Sequence, residues 1–400
     1  MEIQLNILIL SFYYEPDLSA GSFRTTALVR ALLQTMPNEI QIDVITTMPN
    51  RYSRFFSKVA KLETLDRLTI RRISLPAHRS GMFDQSKAFF VYGISVLRYA
   101  RGTKYDLIYA TSSRLMTAVL GSVVARWKRA PLYLDIRDIF VDTIGDVLSK
   151  RAIAVVKPIF VALEKVSLRR ARRVNLVSEG FLDYFRERYP QLTYSLFSNG
   201  VDPEFMSGFD GAGDTVSGLS GKPIVVLYAG NMGEGQGLHA IIPKLAEKMG
   251  DRIRFRLIGD GGRRSMLDRT IRASGVRNVE LIDPVSRLRL IEEYRTADVL
   301  FLHLNDYDAF KKVLPSKIFE YAATGKPIWA GVAGFAERFL RREVRNAAVF
   351  EPGNVNDAVT AFGTLELAFV SRREFVARYS REAISRDMAD DILDSLYEGM

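Results

Sequence analysis

The chain has 400 residues, 48% of them hydrophobic and 26% charged, which is more than one core usually serves and ordinary for a soluble globular protein, so two domains are the natural expectation. The absence of cysteine excludes disulfides, thiol catalysis and cysteine-ligated zinc, and His78, His239 and His303 fall at no metal-ligand spacing. The net charge of +10 is uneven: residues 1–200 hold 29 Lys and Arg against 17 Asp and Glu, a surplus of 12 bases, so the rest carries an acidic excess of 2.

In chain order, LNILIL (5–10) reads as a strand, followed by a helix near 22–34 and a strand IDVITT (42–47). The opening residues lack the basic flank of a signal peptide, so a cytoplasmic protein is expected. Further strands are expected at 106–110, 131–136 and 173–178, with helices at 88–100, 114–127 and 152–171 between them. Alternation of this kind predicts a parallel sheet wound with helices on both faces. The pattern restarts at PIVVLYAG (223–230) and continues through strands at 253–260, 278–283, 298–304 and 326–331. An α/β chain of two doubly wound, Rossmann-like parallel-sheet domains is implied, 1–205 and 223–380. They are joined by a Gly, Ser and Asp-rich linker at 206–222 and followed by a helical segment, 381–400, that folds back across the first domain.

Basic clusters, RYSRFFSKVAK from Arg51 and RRARR from Arg169, mix charge with apolar residues and suit either an anionic membrane surface or a solvated face. The longest apolar run, AFFVYGISVL from Ala88, is about half a bilayer span, so membrane contact would be peripheral. No motif points to nucleic acid.

Ligands of open α/β sheets bind beyond the carboxyl ends of the strands, so the loops there carry the candidates. SFYYEPDLSAGSFR (11–24) places Gly21, Ser22 and Arg24 at a helix start, either as a plain cap or as an anion site. Asp135, Arg137 and Asp138 crowd the end of the strand at 131–136, either to orient a hydroxyl or as a structural ion pair. LYAGNMGEGQGL (227–238) and LIGDGG (257–262) are glycine-rich turns suited to phosphate, with Asp260 expected to cap the next helix. In LPSKIFEYAATGKP (314–327), Pro315 fits a first helical turn, where Ser316 and Lys317 would meet an anion. Glu320 would pair with Lys317 or accept hydrogen bonds from sugar hydroxyls.

Taken together, YYEPDLSAGSFR, NGVD (199–202), LYAGNMGEGQGL, LIGDG (257–261) and PSKIFEYAATGKPI (315–328) resemble the GT-B glycosyltransferases of retaining family 4, nearly end to end. The forms DIRD, GNMGEGQG and PSKIFEY are most similar to the branch containing the L-fucosamine transferases of capsule, O-antigen and exopolysaccharide assembly, whose donor is an N-acetylated deoxyhexosamine. The resemblance implies an acceptor-binding first domain, a nucleotide-sugar-binding second domain and transfer that needs neither cofactor nor metal. Glu320 then matches the glutamate that holds the donor ribose, with Ser316 and Lys317 near the diphosphate. Gly230, Gly259 and Asp260 belong to the turns that face the donor. Ile282, Asp283, Pro284 and Val285 match the loop that meets the base, and Gly21 and Ser22 the loop that closes over the phosphates.

Three departures accompany it. Lys312 stands eight residues before Glu320, where many members carry a glutamate. Asn231 and Gln236 stand where many carry Arg and Lys, leaving Lys317, Arg24 or Lys312 as the diphosphate cation. Arg137 replaces a first-domain histidine, leaving Asp138 or Asp135 to meet the acceptor. The expected reaction is transfer from a UDP-sugar onto a polyprenyl-diphosphate-linked saccharide at the inner membrane face, with the basic first half against anionic lipid. The alternatives are an inactive nucleotide-sugar-binding scaffold and a UDP-sugar epimerase.

Overall fold

A computed structural model describes residues 4–17, 19–49, 59–76, 82–112, 115–142, 150–206 and 221–398. The first basic cluster, around 51–58, and most of the expected linker, 207–220, lie outside the described residues. The chain divides into two compact units, Met1–Asn199 with Arg381–Met400, and Gly200–Ser380. The first unit thus ends at Asn199 rather than at 205.

The first unit is built on strands β1 (Leu5–Leu10), β2 (Ile40–Thr47), β3 (Leu62–Thr64), β4 (Leu68–Ile73), β5 (Leu107–Thr111), β6 (Leu132–Ile136), β7 (Ala171–Leu176) and β8 (Thr193–Ser195). Their order is β3-β4-β2-β1-β5-β6-β7-β8, parallel throughout except where β3 runs antiparallel to β4 at one edge. β1, β5 and β6 are almost wholly buried because helices cover both faces, which is why they read as continuous apolar runs. The helices are α1 (Ala20–Thr35), α2 (Met82–Ala100), α3 (Leu115–Lys128), α4 (Lys150–Leu168) and α5 (Leu182–Arg188). α2, α3 and α4 pack side by side. The strand order reverses between β1 and β5, which marks where the carboxyl-end loops part.

The second unit opens with a one-turn helix α6 (Pro203–Met206) and continues β9 (Ile224–Ala229), α7 (Leu238–Met249), β10 (Ile253–Ile258), α8 (Arg264–Ser274), β11 (Val279–Ile282) and α9 (Arg287–Thr296). Then follow β12 (Val299–His303), α10 (Lys317–Ala323), β13 (Ile328–Gly331), α11 (Phe335–Glu343), β14 (Ala347–Phe350), α12 (Val355–Phe362) and α13 (Arg373–Arg378). All pairs in its sheet, β11-β10-β9-β12-β13-β14, are parallel. One face of the sheet is filled around Leu300, Phe319 and Tyr321, the other around Phe255, Phe301 and Trp329. The last helix, α14 (Arg381–Tyr397), belongs to the first unit and lies along α1.

The reversal in the second sheet falls between β9 and β12, which pair only at Val226↔Val299 and Leu227↔Leu300. Beyond Leu227 the two strands separate. The Ala229 end of β9 is instead held by a side chain, since the Ala229 N–H donates to the Tyr321 hydroxyl at 3.3 Å.

Candidate functional site

The split between β9 and β12 is where the second unit gathers its predicted residues. Gly230 adopts φ +145°, and a Cβ there would collide with the Lys317 ammonium and Cε. Only glycine leaves room for the lysine to lie across the strand end. Gly259, at φ +143°, faces the Gly230 carbonyl so closely that a Cβ would overlap it. The two glycine-rich turns are then laced by backbone hydrogen bonds: Gly230 N–H to Ile258 O and Met232 N–H to Asp260 O, both 2.8 Å, and Arg263 N–H to Met232 O at 2.9 Å. Backbone approach with no side chain between is the condition for cradling a phosphate.

α10 brings the charged groups. Pro315 lies just before the helix, Ser316 is its N-cap without a side-chain capping bond, and Ile318 and Phe319 amides turn back onto the Pro315 and Ser316 carbonyls at 3.1 Å. The helix is a residue or two shorter at its start than the sequence suggests, so its dipole contributes little and the ammonium carries the charge. The Lys317 Nζ sits 5.6 Å from the centroid of the Tyr228 ring, a cation–π contact that holds it over the turn. Glu320 receives a hydrogen bond from the Tyr294 hydroxyl on its Oε2 at 3.2 Å, and the Arg287 charge faces it. Arg287 is itself bound to Asp202 of the NGVD stretch and stacked 4.9 Å from the Phe205 centroid. Burial would lower the Arg287 pKa, but the carboxylates of Asp202 and Glu320 raise it on balance, so it stays cationic.

Four predicted residues have local roles. The Gln236 Oε1 accepts from Asn231 Nδ2 at 2.9 Å and from the Gly233 N–H at 3.2 Å, so this pair shapes its own loop. Asp260 does not cap α8; its Oδ1 accepts from the Gly261 N–H at 2.8 Å, and α8 has no side-chain cap. Asp283 pairs with Arg264 at 2.9 Å. Ile282 and Val285 are half-buried against the core, and the Ile282 carbonyl accepts from the Gly259 N–H at 3.0 Å, which brings this loop beside the glycine turns.

Residues the sequence did not single out brace the same loops. Glu234 binds Arg263 and accepts from the Tyr307 hydroxyl at 3.0 Å; burial would push its carboxyl up, but these partners bring it below its usual range. His303, at the end of β12, accepts from the Gly353 N–H on Nε2 at 3.0 Å. Its Nδ1 must therefore be the protonated nitrogen, donating to the Gln236 carbonyl at 2.7 Å. Burial lowers this imidazole to about 4, so it is a neutral brace and ligates nothing.

In the first unit the structure corrects two assignments. Arg24 and Asp135 form a buried bidentate pair, Nε to Oδ2 and Nη2 to Oδ1, both 3.0 Å. Arg24 spends its other donors on the Ser198 and Phe197 carbonyls, at 2.7 and 2.8 Å, and Asp135 also accepts from Asn175 at 2.7 Å. Burial would raise the Asp135 pKa, but the Arg24 and Arg137 charges bring it below the usual carboxylate range. With both carboxylate oxygens engaged and both side chains buried, Asp135 does not present itself to an acceptor, nor Arg24 to a diphosphate. Ser19 caps α1 by accepting from the Ser22 N–H at 3.2 Å, so Gly21 and Ser22 form a capped first turn. Arg137 is half-buried, its N–H on the Ser112 hydroxyl at 2.9 Å and its Nη2 on Asn199 Oδ1 at 3.3 Å, and Asp138 is exposed.

Two doubly wound parallel sheets with these strand orders define a GT-B glycosyltransferase fold. Within that class, residues 22–200 match the family model Glycosyl transferase 4-like domain and residues 214–381 match the family model Glycosyl transferases group 1. A curated relative, the Escherichia coli K12 protein named as a colanic acid biosynthesis glycosyl transferase, WcaI, is 30% identical over 101 residues, a quarter of each chain. Among solved structures, sucrose-phosphate synthase from Thermosynechococcus elongatus superposes with a TM-score of 0.73 at 15% identity, covering 99% of this chain and 100% of that one. Anabaena HepE in complex with UDP gives 0.64 at 17% identity, covering 98% and 100%.

Proposed function

We propose that the protein transfers a sugar, with retention and without a metal ion, from a UDP-sugar to a polyprenyl-diphosphate-linked saccharide in surface polysaccharide assembly. The N-acetylated deoxyhexosamine of the L-fucosamine-transferase branch is the proposed sugar. The observation that carries this reading is Lys317, held over Gly230 by Tyr228 at the mouth of two laced glycine turns. A leaving nucleoside diphosphate gains negative charge as the bond to the sugar lengthens, and a fixed ammonium beside open backbone stabilises that charge. Glu320, oriented by Tyr294, is proposed to accept hydrogen bonds from the donor ribose, and the loop from Ile282 to Val285, half-buried at its two ends and exposed between them, to meet the base. Asp138 and Arg137, which remain at the end of β6 once Asp135 is committed to Arg24, are proposed to face the acceptor. The UDP in the HepE structure supports uracil as the base. The curated relative's name, from colanic acid biosynthesis, supports a polysaccharide product, and the basic surplus of residues 1–200 supports an anionic lipid surface as the place where the acceptor is met.

The test incubates the full chain with a panel of UDP-sugars and membrane extract and reads lipid-linked products by mass spectrometry. One donor is expected to give a lipid product heavier by one sugar, with the α-anomeric or β-anomeric configuration of the donor retained. UDP binding without transfer to any lipid would leave a scaffold, and conversion of a donor without acceptor would leave an epimerase; either overturns the proposal.

A further inference from the structure

α2, α3 and α4 lie side by side, and each turns an apolar stripe outward at helical spacing: Phe90 and Ile94 on α2, Val123 and Trp127 on α3, Ile159 and Val166 on α4. Single exposed apolar residues are ordinary, but neighbouring stripes on adjacent helices are not. Phe90 is 67% exposed and Trp127 45%.

The charge around these stripes has one sign. Among the described side chains of the three helices the only carboxylate is Glu164, and it is buried, accepting hydrogen bonds from Tyr184 and Tyr189. Arg126 and Arg129 at the end of α3 and Arg170 just after α4 line an open depression together with Val123 and Trp127. None of these three arginines has an ion pair among the described residues. The neighbouring Arg172 and Arg173 of the same RRARR run behave differently: Arg172 donates to the Ser395 carbonyl and Arg173 binds Asp391 and Glu398, so they are structural. Lys128 stands 4.4 Å over the Trp127 ring and donates to the Arg101 and Thr103 carbonyls, which fixes the indole at the rim.

We propose that this three-helix face docks on an anionic lipid bilayer, with Phe90, Trp127 and Ile159 entering the headgroup boundary and Arg126, Arg129 and Arg170 receiving lipid phosphates. The proposal rests on the reading that the acceptor is carried by a membrane lipid, and it names the surface that meets that membrane. An amphipathic face with bases at its rim binds in the interface plane, and an indole is suited to that depth. A rim whose described exposed side chains carry no carboxylate selects an anionic surface over a neutral one.

The chain itself provides the reporter, because it has two tryptophans and Trp329 is fully buried in the second unit. Tryptophan emission of the full chain is recorded with vesicles of phosphatidylcholine alone and of phosphatidylcholine and phosphatidylglycerol in equal parts. The expected result is a blue shift and quenching by brominated lipid with the anionic vesicles only, lost in Trp127→Ala. Joint Arg126→Glu, Arg129→Glu and Arg170→Glu substitution should weaken partition by roughly a hundredfold or more, at about fivefold per base near the surface. Cooperative urea unfolding of the first unit reports that each variant is folded, and UDP binding measured by calorimetry reports that the donor reading stands independently. Anionic vesicles that leave the wild-type emission unchanged while UDP binds would overturn the docking surface and leave the transferase reading intact. Equal partition of wild type and the arginine variant would also overturn it, as would emission already shielded by a second copy in the absence of lipid.

Discussion

At the scale of single residues, the proposed donor site rests on Lys317 and on a position that carries no side chain, Gly230. Lys317→Ala is expected to lower donor turnover by about a hundredfold or more, the usual consequence of removing one group that stabilises transition-state charge, as read by initial rates of UDP release. Gly230→Ala should imitate it, since a methyl group there displaces the ammonium and strains a φ of +145°. Turnover by Gly230→Ala within twofold of wild type would show that Lys317 acts from elsewhere. The pair in the first unit makes the opposite prediction. Asp135→Ala leaves the Arg24 guanidinium buried without its carboxylate, and a loss of about 3–5 kcal/mol in urea unfolding of the first unit is expected. UDP binding by the second unit should be unaffected in that variant. In the sequence alone, Arg24 and Asp135 are indistinguishable from site residues: one lies in the helix after β1 and the other at the carboxyl end of β6, and the contact that joins them spans 111 positions of sequence.

At the scale of elements, the strands that lie inside each sheet were legible because burial on both faces requires unbroken apolar runs, as in LNILIL and VLFLH. β4 was missed because Arg71 and Arg72 interrupt LTIRRI, and the structure explains the exception: Arg72 is buried, paired with Glu63 and bound to the Glu15 carbonyl. β3, β8 and β14 are three or four residues long and offer too few positions for a pattern. The glycine turns and the PSKIFEY helix were readable from composition. The residues that hold them, Tyr228, Tyr294 and His303, were not, since each acts across a long stretch of sequence. His303 joins three loops at once, so its protonation should loosen them together. The imidazole titrates near 4 in the fold and near 6.5 when unfolded. Its contribution is complete above pH 6.5. As pH falls from 6.5 to 4 the unfolded chain takes up the proton first, and about 3 kcal/mol is lost. Urea unfolding of the second unit across that range should show the slope, and His303→Asn should flatten it. An unchanged slope in the variant would assign the acid sensitivity to other groups.

At the scale of the whole molecule, chain order and structural order differ, because the first unit is completed only by the final helix. α14 adds Met388, Ile392, Leu393 and Leu396 to the cluster that contains Leu28, Leu32 and Tyr109. Asp391 accepts from the Tyr133 hydroxyl and the Ser195 hydroxyl, at 2.7 and 2.8 Å, and from Arg173, tying the helix to β6, β7 and β8. Arg24 also touches Met388. Each of the four apolar side chains contributes about 1.5–3 kcal/mol on burial, a sum comparable to the whole stability of an ordinary domain. A chain ending at Ser380 should therefore lose the cooperative unfolding of the first unit while the second, complete from Gly200 to Ser380, keeps its own transition and the UDP binding proposed for it. Calorimetry of the truncated and full chains checks this directly. If the truncated chain retains both transitions, α14 is an accessory to the first unit; if it loses both, the two units fold as one cooperative body and the division at Asn199 has no thermodynamic meaning.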